Sequence, residues 1–297
     1  MKKNIVCVLV LSFFVSIIQA ADIKSGEYFI TQSWSQESNY KHPYQVVVPE
    51  KKGKKYPVFI YLHGNGGQAK GVMRRFTRPN GLIAKKYIMV FPQGYQKSWN
   101  IVSERSKAND LEYIESIIKN LQKFNNVDKD NFSIMGSSNG AAMANQIAIE
   151  TKFTCIKNYI TGVSQLNGCQ HDGKNFKLKG SNNDYKKVAT PLKGIRLMNI
   201  SGGNDGLIPY EGGPSKIPGK GGKLPFVDAE KSIYLWAKHN GYKGKMLTKS
   251  TSVEGKIESY VYSGGDFIHY KIVDGNHGST GAIREDKLLE FLEGGKQ

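Results

Sequence analysis

The sequence is poor in cysteine and in long apolar runs, and both shortages exclude classes of protein. Among its 297 residues three are cysteines, and the two that follow Cys7 are Cys155 and Cys169. Two cysteines at this spacing do not form a zinc site. In an oxidising compartment we expect them to form one disulfide, and the alternative is two thiols, one of them buried at the start of a strand. Beyond residue 20, no apolar run is long enough to span a bilayer.

The N-terminal segment has the pattern of a secretory signal peptide. Lys2 and Lys3 form a basic start, residues 5–18 an apolar core, and Ala20 and Ala21 a small-residue cleavage site. The core is shorter than the roughly 20 residues of a membrane span, so a retained anchor is the less favoured interpretation. We therefore expect a signal peptide over residues 1–20, a secreted or periplasmic protein, and no stable membrane insertion after cleavage.

Arginine is scarce as well, at six of the 42 basic residues. The formal net charge of +17 falls by two, to +15, once Lys2 and Lys3 are removed. Such a charge can attract nucleic acid or anionic polymers. However, the lysines are spread along the chain and are not interleaved with aromatic residues as in nucleic-acid grooves. We therefore predict a solvated, lysine-rich surface and no nucleic-acid binding.

Linkers, internal repeats and charged tails are also missing, so we expect residues 21–297 to form a single domain. Within it, apolar β-branched segments alternate with helical patterns. The predicted strands are 44–50, 56–64, 87–94, 132–136, 156–166, 194–202 and 267–275; the predicted helices are 110–124, 140–150, 228–240 and 285–292. This alternation predicts an α/β fold with a mostly parallel sheet. Sites in such folds lie beyond the carboxyl ends of strands.

Two adjacent serines follow the predicted strand 132–136. In the sequence GSSNG of residues 136–140, only Ser138 is the central residue of the pattern G-x-S-x-G. That pattern places a nucleophilic serine on a sharp turn between a strand and a helix, and both flanking elements are predicted here. Ser137 is then a neighbour of the nucleophile; the alternative is a glycine-rich turn that only packs tightly.

A serine nucleophile needs a base and an orienting acid, which on this kind of fold follow it in the order Asp or Glu, then His. Asp205 lies in a glycine-rich loop directly after the predicted strand 194–202. Three histidines follow it: His239 lies late in an amphipathic helix, His269 lies mid-strand, and His277 lies in a glycine-rich loop after the last strand. We therefore predict Asp205 as the acid and His277 as the base.

The oxyanion hole requires backbone N–H groups near the nucleophile. One donor is the residue after the serine, here Asn139. The other comes from a loop after an earlier strand, and the segment YLHGNGG of residues 61–67 has that position. Either Gly64 or Asn65 supplies this N–H, while His63 is expected to pack beneath the loop.

These motifs resemble a known family, the α/β-hydrolase esterases grouped with polyhydroxybutyrate depolymerases and feruloyl esterases. The resemblance is carried by YLHGNGG, by the block NDLEYIESIIKNLQKFNNVDKDNFSIMGSSNGAAMA, by GGNDGLIPY and by LWAKHNGY, in the family's order. It implies an α/β-hydrolase fold for residues 21–297, with helices on both faces of the sheet. It also implies Ser138, Asp205 and His277 as a catalytic triad, and no metal or cofactor.

Two further expectations come from comparison with that family. Trp99 matches a family tryptophan and is a candidate wall of the substrate pocket; the alternative is an aromatic residue packed in a surface loop. Gly278, Ser279 and Thr280 replace the tryptophan and proline that usually follow the catalytic histidine, so an aromatic wall is absent there or supplied from elsewhere. Separately from that comparison, the segments 167–187 and 211–226 are rich in glycine, lysine and asparagine and lie beside the predicted site. We expect them to form its rim, the second as a lid; the alternative is that they are only connections.

The leading functional hypothesis is a secreted serine esterase acting on a small-molecule or oligomeric ester through an acyl-enzyme. The first alternative is a serine peptidase or amidase, because the same triad cleaves amides. The second is a catalytically idle hydrolase fold that binds an anionic envelope polymer through its lysines.

Overall fold

The computed structural model describes residues 21–51, 53–79, 81–219 and 221–294, so the predicted signal peptide lies outside the described residues. The strands are β1 (Gly26–Trp34), β2 (Glu37–Val47), β3 (Tyr56–Leu62), β4 (Ile88–Pro92), β5 (Val127–Ser137), β6 (Ile156–Gly162), β7 (Arg196–Gly202), β8 (Gly213–Gly219), β9 (Gly222–Phe226), β10 (Ser252–Glu254), β11 (Ile257–Tyr262) and β12 (Phe267–Ile272). The α-helices are α1 (Ala69–Phe76), α2 (Asp110–Leu121), α3 (Asn139–Glu150), α4 (Ala229–His239) and α5 (Glu285–Leu292).

Ten of these strands form one sheet in the order β1-β2-β4-β3-β5-β6-β7-β12-β11-β10. The six central strands, from β4 to β12, are parallel. The two strands at each edge are antiparallel to their neighbours. A separate two-stranded hairpin, β8–β9, lies outside this sheet. The parallel centre brings the carboxyl ends of β3, β5, β7 and β12 to one edge, where the predicted site residues follow.

The strand β3 shows why the sheet is covered on both faces. Alternate side chains of a strand point to opposite faces, and Val58 and Ile60 belong to one buried apolar cluster while Phe59 and Tyr61 belong to another. Helices α2, α3 and α4 contribute buried residues to the first cluster, and α1 and α5 to the second. The predicted sheet with helices on both faces is therefore confirmed. No described helix is long and apolar enough to cross a bilayer.

The predicted disulfide between Cys155 and Cys169 is wrong, because the structure does not bond these two residues to each other. Cys155 immediately precedes β6, whereas Cys169 follows it. A seven-residue strand is roughly 20 Å long, and Asn167, two residues before Cys169, already lines the cleft at the carboxyl edge. A disulfide requires Cα atoms within about 7 Å.

Candidate active site

Ser138 lies on a strained turn between β5 and α3. Its φ is 54° and its ψ is −120°, a region that non-glycine residues rarely occupy. Gly136 and Gly140 make the turn sterically feasible: a Cβ on Gly136 would lie 2.1 Å from the carbonyl oxygen of Gly140, and one on Gly140 would lie 2.2 Å from that of Leu62. The predicted strand–turn–helix arrangement around Ser138 is therefore present, with both glycines where a side chain would collide.

The predicted triad residues are joined by hydrogen bonds, although they are far apart in sequence. His277 Nε2 lies 2.8 Å from Ser138 Oγ, and His277 Nδ1 lies 2.8 Å from Asp205 Oδ2. An ionised carboxylate only accepts hydrogen bonds, so Nδ1–H donates to Asp205. Nε2 is then free to accept the Ser138 hydroxyl proton, which is the geometry a general base needs.

Backbone groups hold Asp205 in place. Its Oδ1 accepts the N–H groups of Leu207 at 2.9 Å and of Ile208 at 3.0 Å. Burial alone would raise the pKa of Asp205, but the hydrogen bonds from His277, Ile208 and Leu207 outweigh it and hold that pKa below the ordinary value. The carboxylate therefore stays ionised opposite the imidazole.

The loop after β3 lies directly against the nucleophile. Asn65 lines the same cleft as Ser138 and Asn139, whereas a Cβ on Gly64 would contact Ser137 O at 3.4 Å and Ser138 Cβ at 3.6 Å. Asn139 is the first residue of α3, so its N–H has no acceptor within the helix. Of the two candidate donors in the loop, Asn65 is thus the one whose position borders the cleft.

His63 packs beneath this loop, as expected. The N–H of Gly94 donates to its Nε2 at 2.9 Å, so the other ring nitrogen carries the proton and Nδ1–H donates to Gly64 O at 2.8 Å. Burial lowers the pKa of His63, which keeps the ring neutral and this tautomer in place. His63 therefore fixes the loop and does not face the cleft.

The predicted role of Trp99 as a pocket wall is wrong. Its side chain is fully buried and its indole Nε1–H donates to His63 O at 2.8 Å, because the ring turns inward under the loop after β3. Its neighbours Ser98 and Ile101 line the cleft instead. Trp99 acts through its backbone: its N–H donates to Asn139 Oδ1 at 2.7 Å, and its carbonyl accepts from Asn139 Nδ2 at 3.0 Å.

Glu104 is a site residue that sequence reasoning did not identify. Its Oε2 accepts the N–H groups of Ile101 at 2.9 Å and Val102 at 2.6 Å, and its Oε1 accepts from Asn139 Nδ2 at 3.1 Å. Glu104 thus connects the 98–105 segment to the residue after the nucleophile. The sequence carries no signal for this contact, because 35 positions separate the two residues.

The cleft above Ser138 has a volume of about 640 Å³, within the range of small-molecule sites. Its apolar walls include Ile101, Leu207 and Ile208, and the hairpin β8–β9 adds Ile217, Leu224 and Phe226. The segment 211–226 therefore does form part of the rim, as a hairpin. Phe226 is the aromatic residue among those that line the cleft.

The remaining candidate side chains lie elsewhere. Ser137 Oγ bonds to Thr280 Oγ1 at 2.9 Å. His269 is fully buried between Asn199 and Tyr210, at 2.8 Å from each, and burial lowers its pKa to about 3. His239 Nε2 lies 3.0 Å from the carbonyl of Pro191. No group of three His, Cys, Asp or Glu side chains in the described residues is arranged to hold a metal ion.

Neither a protein-family model nor a curated protein sequence matches the chain. Among solved structures, an acetyl xylan esterase from Aspergillus awamori is 14% identical, with a TM-score of 0.60 over 90% of this chain and 99% of that one. A putative dienelactone hydrolase from Klebsiella pneumoniae is 16% identical, with a TM-score of 0.45 over 63% of this chain and 75% of that one. The first similarity, the strand order and the serine turn together show that the chain has the α/β-hydrolase fold.

Proposed function

We propose that the protein is a serine carboxylic-ester hydrolase with Ser138 as nucleophile, His277 as base and Asp205 as orienting acid. The observation that carries this proposal is the continuous hydrogen-bonded series from Asp205 through His277 to Ser138 Oγ, which opens into the cleft. A hydrolase fold without catalytic activity would not require these three side chains to be hydrogen-bonded in this order.

In the acylation step, Ser138 Oγ attacks the ester carbonyl carbon while its proton moves to His277 Nε2. The negative charge that develops on the carbonyl oxygen is stabilised by the N–H of Asn139 and a second N–H from the loop after β3, Asn65 or Gly64. Asp205 stabilises the imidazolium that forms. The tetrahedral intermediate then expels the alcohol, which takes its proton from His277 Nε2.

Deacylation repeats the same steps with water. His277 Nε2 removes a proton from water while the water oxygen attacks the acyl carbon. The second tetrahedral intermediate then collapses and releases the carboxylic acid. The proton on Nε2 returns to Ser138 Oγ. No cofactor enters this scheme, because each proton has a donor or acceptor among the three side chains.

We also propose an ester of a small molecule or oligomer as the substrate, and export of residues 21–297 as one domain. The support for export is the N-terminal sequence pattern. The support for the substrate class is the sequence resemblance to polyhydroxybutyrate depolymerases and feruloyl esterases, together with the structural likeness to an acetyl xylan esterase. The cleft volume of about 640 Å³ lies within the range of sites for small-molecule ligands.

Covalent labelling combined with matched substrates tests the proposal. A fluorophosphonate should modify the peptide that carries Ser138, and 4-nitrophenyl acetate should be hydrolysed much faster than 4-nitroacetanilide. Faster hydrolysis of the anilide would favour the amidase alternative. Absence of both labelling and hydrolysis would favour the idle fold.

A further inference from the structure

We infer that the cleft selects esters that carry a carboxylate near the ester bond, and that Lys97, Arg105 and Lys216 bind this carboxylate. The inference rests on the proposed esterase function and specifies its substrate class. All three residues are exposed and line the cleft that contains Ser138. Lys97 and Arg105 belong to the connection between β4 and α2, and Lys216 belongs to the hairpin β8–β9.

The cleft has an excess of uncompensated positive charge. None of the ion pairs among the described residues involves any of these three cations. Glu104 is the acidic side chain among the lining residues. Its carboxylate accepts hydrogen bonds from two backbone N–H groups and from Asn139, and none of the ion pairs among the described residues joins it to these cations.

The backbone at Lys97 is held in a costly conformation. Gln96 and Lys97 have φ values of 51° and 60°, and both line the cleft. Consecutive non-glycine residues in this region persist only where the surrounding structure imposes them, commonly at functional sites. Here the N–H of Gly66 donates to Lys97 O at 2.7 Å, which ties Lys97 to the loop beside Ser138.

Hydrogen bonds hold the backbone near the other two cations, Arg105 and Lys216. The N–H of Lys216 donates to Leu207 O at 3.3 Å, which joins the hairpin to the loop of Asp205. The carbonyl of Arg105 accepts from Gln36 Nε2 at 2.8 Å. Ser103 Oγ donates to Pro218 O at 2.8 Å, so the Arg105 segment and the Lys216 hairpin meet. These contacts fix the backbone positions of Arg105 and Lys216.

The lining therefore suits a ligand with an apolar part and an anionic end. The apolar walls contact the hydrocarbon, and guanidinium and ammonium groups at the rim attract a carboxylate. A partly enclosed cleft screens such attraction less than open surface does. A neutral ester of the same size would use only the apolar walls.

The test compares charged and neutral esters of matched size. The first pair, mono-4-nitrophenyl glutarate and 4-nitrophenyl valerate, places the charge on the acyl side. The second pair, 4-acetoxybenzoate and its methyl ester, places it on the alcohol side. A variant with Lys97→Gln, Arg105→Gln and Lys216→Gln is compared with a control carrying Lys129→Gln, Lys243→Gln and Lys249→Gln. The control lysines are exposed, outside the cleft lining, and their removal changes the net charge equally.

For at least one pair, the variant that lacks the three cleft cations should lose about 10-fold in kcat/KM for the charged ester. This is the effect that three partly exposed charge contacts typically have together. The neutral ester should be affected far less, and the control variant should lose about 2-fold or less on either ester. Equal charged-to-neutral ratios in the wild type and both variants would overturn the inference and leave the esterase proposal intact. No hydrolysis of any of the four esters would overturn both.

Discussion

The side-chain amide of Asn139 bonds to both backbone groups of Trp99, at 2.7 Å and 3.0 Å. Through this contact, the segment that follows β4 fixes the residue whose N–H is the proposed oxyanion donor. The same amide reaches Glu104 at 3.1 Å. The start of α3 is therefore positioned by a side chain as well as by the strand before it.

Asn139→Ala should lower kcat by roughly 10- to 100-fold, less than loss of a donor itself, with a small change in KM. Asn139→Asp should be at least as damaging, because a carboxylate would face the Trp99 carbonyl and Glu104. Adding Glu104→Gln to Asn139→Asp should restore part of kcat by supplying a donor for the new carboxylate. If the double variant is no faster than Asn139→Asp, the proposed contact does not control the rate.

Asp205→Asn should reduce kcat by about 10⁴-fold. The amide keeps an oxygen for the N–H groups of Leu207 and Ile208, but presents an NH₂ group to His277 Nδ1. The imidazole then carries its proton on Nε2 and cannot accept the one from Ser138. Steady-state kinetics, together with an unchanged melting temperature, checks this. A loss below 10-fold would remove Asp205 from the triad.

Gly140→Ala should destabilise the protein by roughly 3 kcal/mol, because the new Cβ would lie 2.2 Å from Leu62 O. Gly71→Ala is the matched control: it lies in α1, a Cβ at that position would have no neighbouring group within 4 Å, and it should stabilise by roughly 0.5–1 kcal/mol. Chemical denaturation measures both. Equal effects of the two substitutions would contradict the close approach of α3 to β3.

The free energy of unfolding should depend on pH because of the buried carboxyl group of Asp110. Burial raises its pKa from 3.8 to about 7, against the lowering effect of the Asn100 N–H, and its Oδ1 has no hydrogen-bond partner among the described residues. The folded state therefore binds this proton more tightly than the unfolded state does. The resulting stability is fully present below about pH 3.8 and is lost as the pH rises through about 7.

Asp110→Asn removes this titration. Relative to the wild type, the free energy of unfolding of the variant should therefore increase between pH 4 and pH 8, by up to about 4 kcal/mol. Urea denaturation at several pH values measures the difference. A difference that stays constant across this range would show that Asp110 is ionised throughout.

The sequence was most informative where local chemistry dictates structure. The glycines at 136 and 140 are needed wherever a serine turn joins a strand to a close-packed helix, so the pattern predicted the strained turn on which the structure places Ser138. The parallel sheet followed from β-branched runs such as β3, whose residues are buried on both faces. The proximity of Asp205 and His277 to Ser138 could be predicted because both follow strands whose carboxyl ends meet at one edge.

Features that depend on tertiary contacts were missed. The hairpin β8–β9 carries Pro214, Pro218 and Pro225 among its glycines and lysines, a composition that argues against strands. The position of Trp99 in the sequence does not show which way its ring points. In the structure the ring points inward, where its Nε1–H donates to His63 O. The disulfide was predicted only because the chain contains two cysteines after residue 20. In the structure Cys155 precedes β6 and Cys169 follows it.

Hydrolysis of 4-nitrophenyl butyrate by the wild type, Ser138→Ala and Ser137→Ala tests the central claim most directly. The two serines are adjacent, but Ser138 Oγ bonds His277 while Ser137 Oγ bonds Thr280. We expect Ser138→Ala to lose several orders of magnitude in kcat and Ser137→Ala to retain most of the activity. Similar activity in all three proteins, or a larger loss in Ser137→Ala, would contradict the assignment of Ser138 as nucleophile.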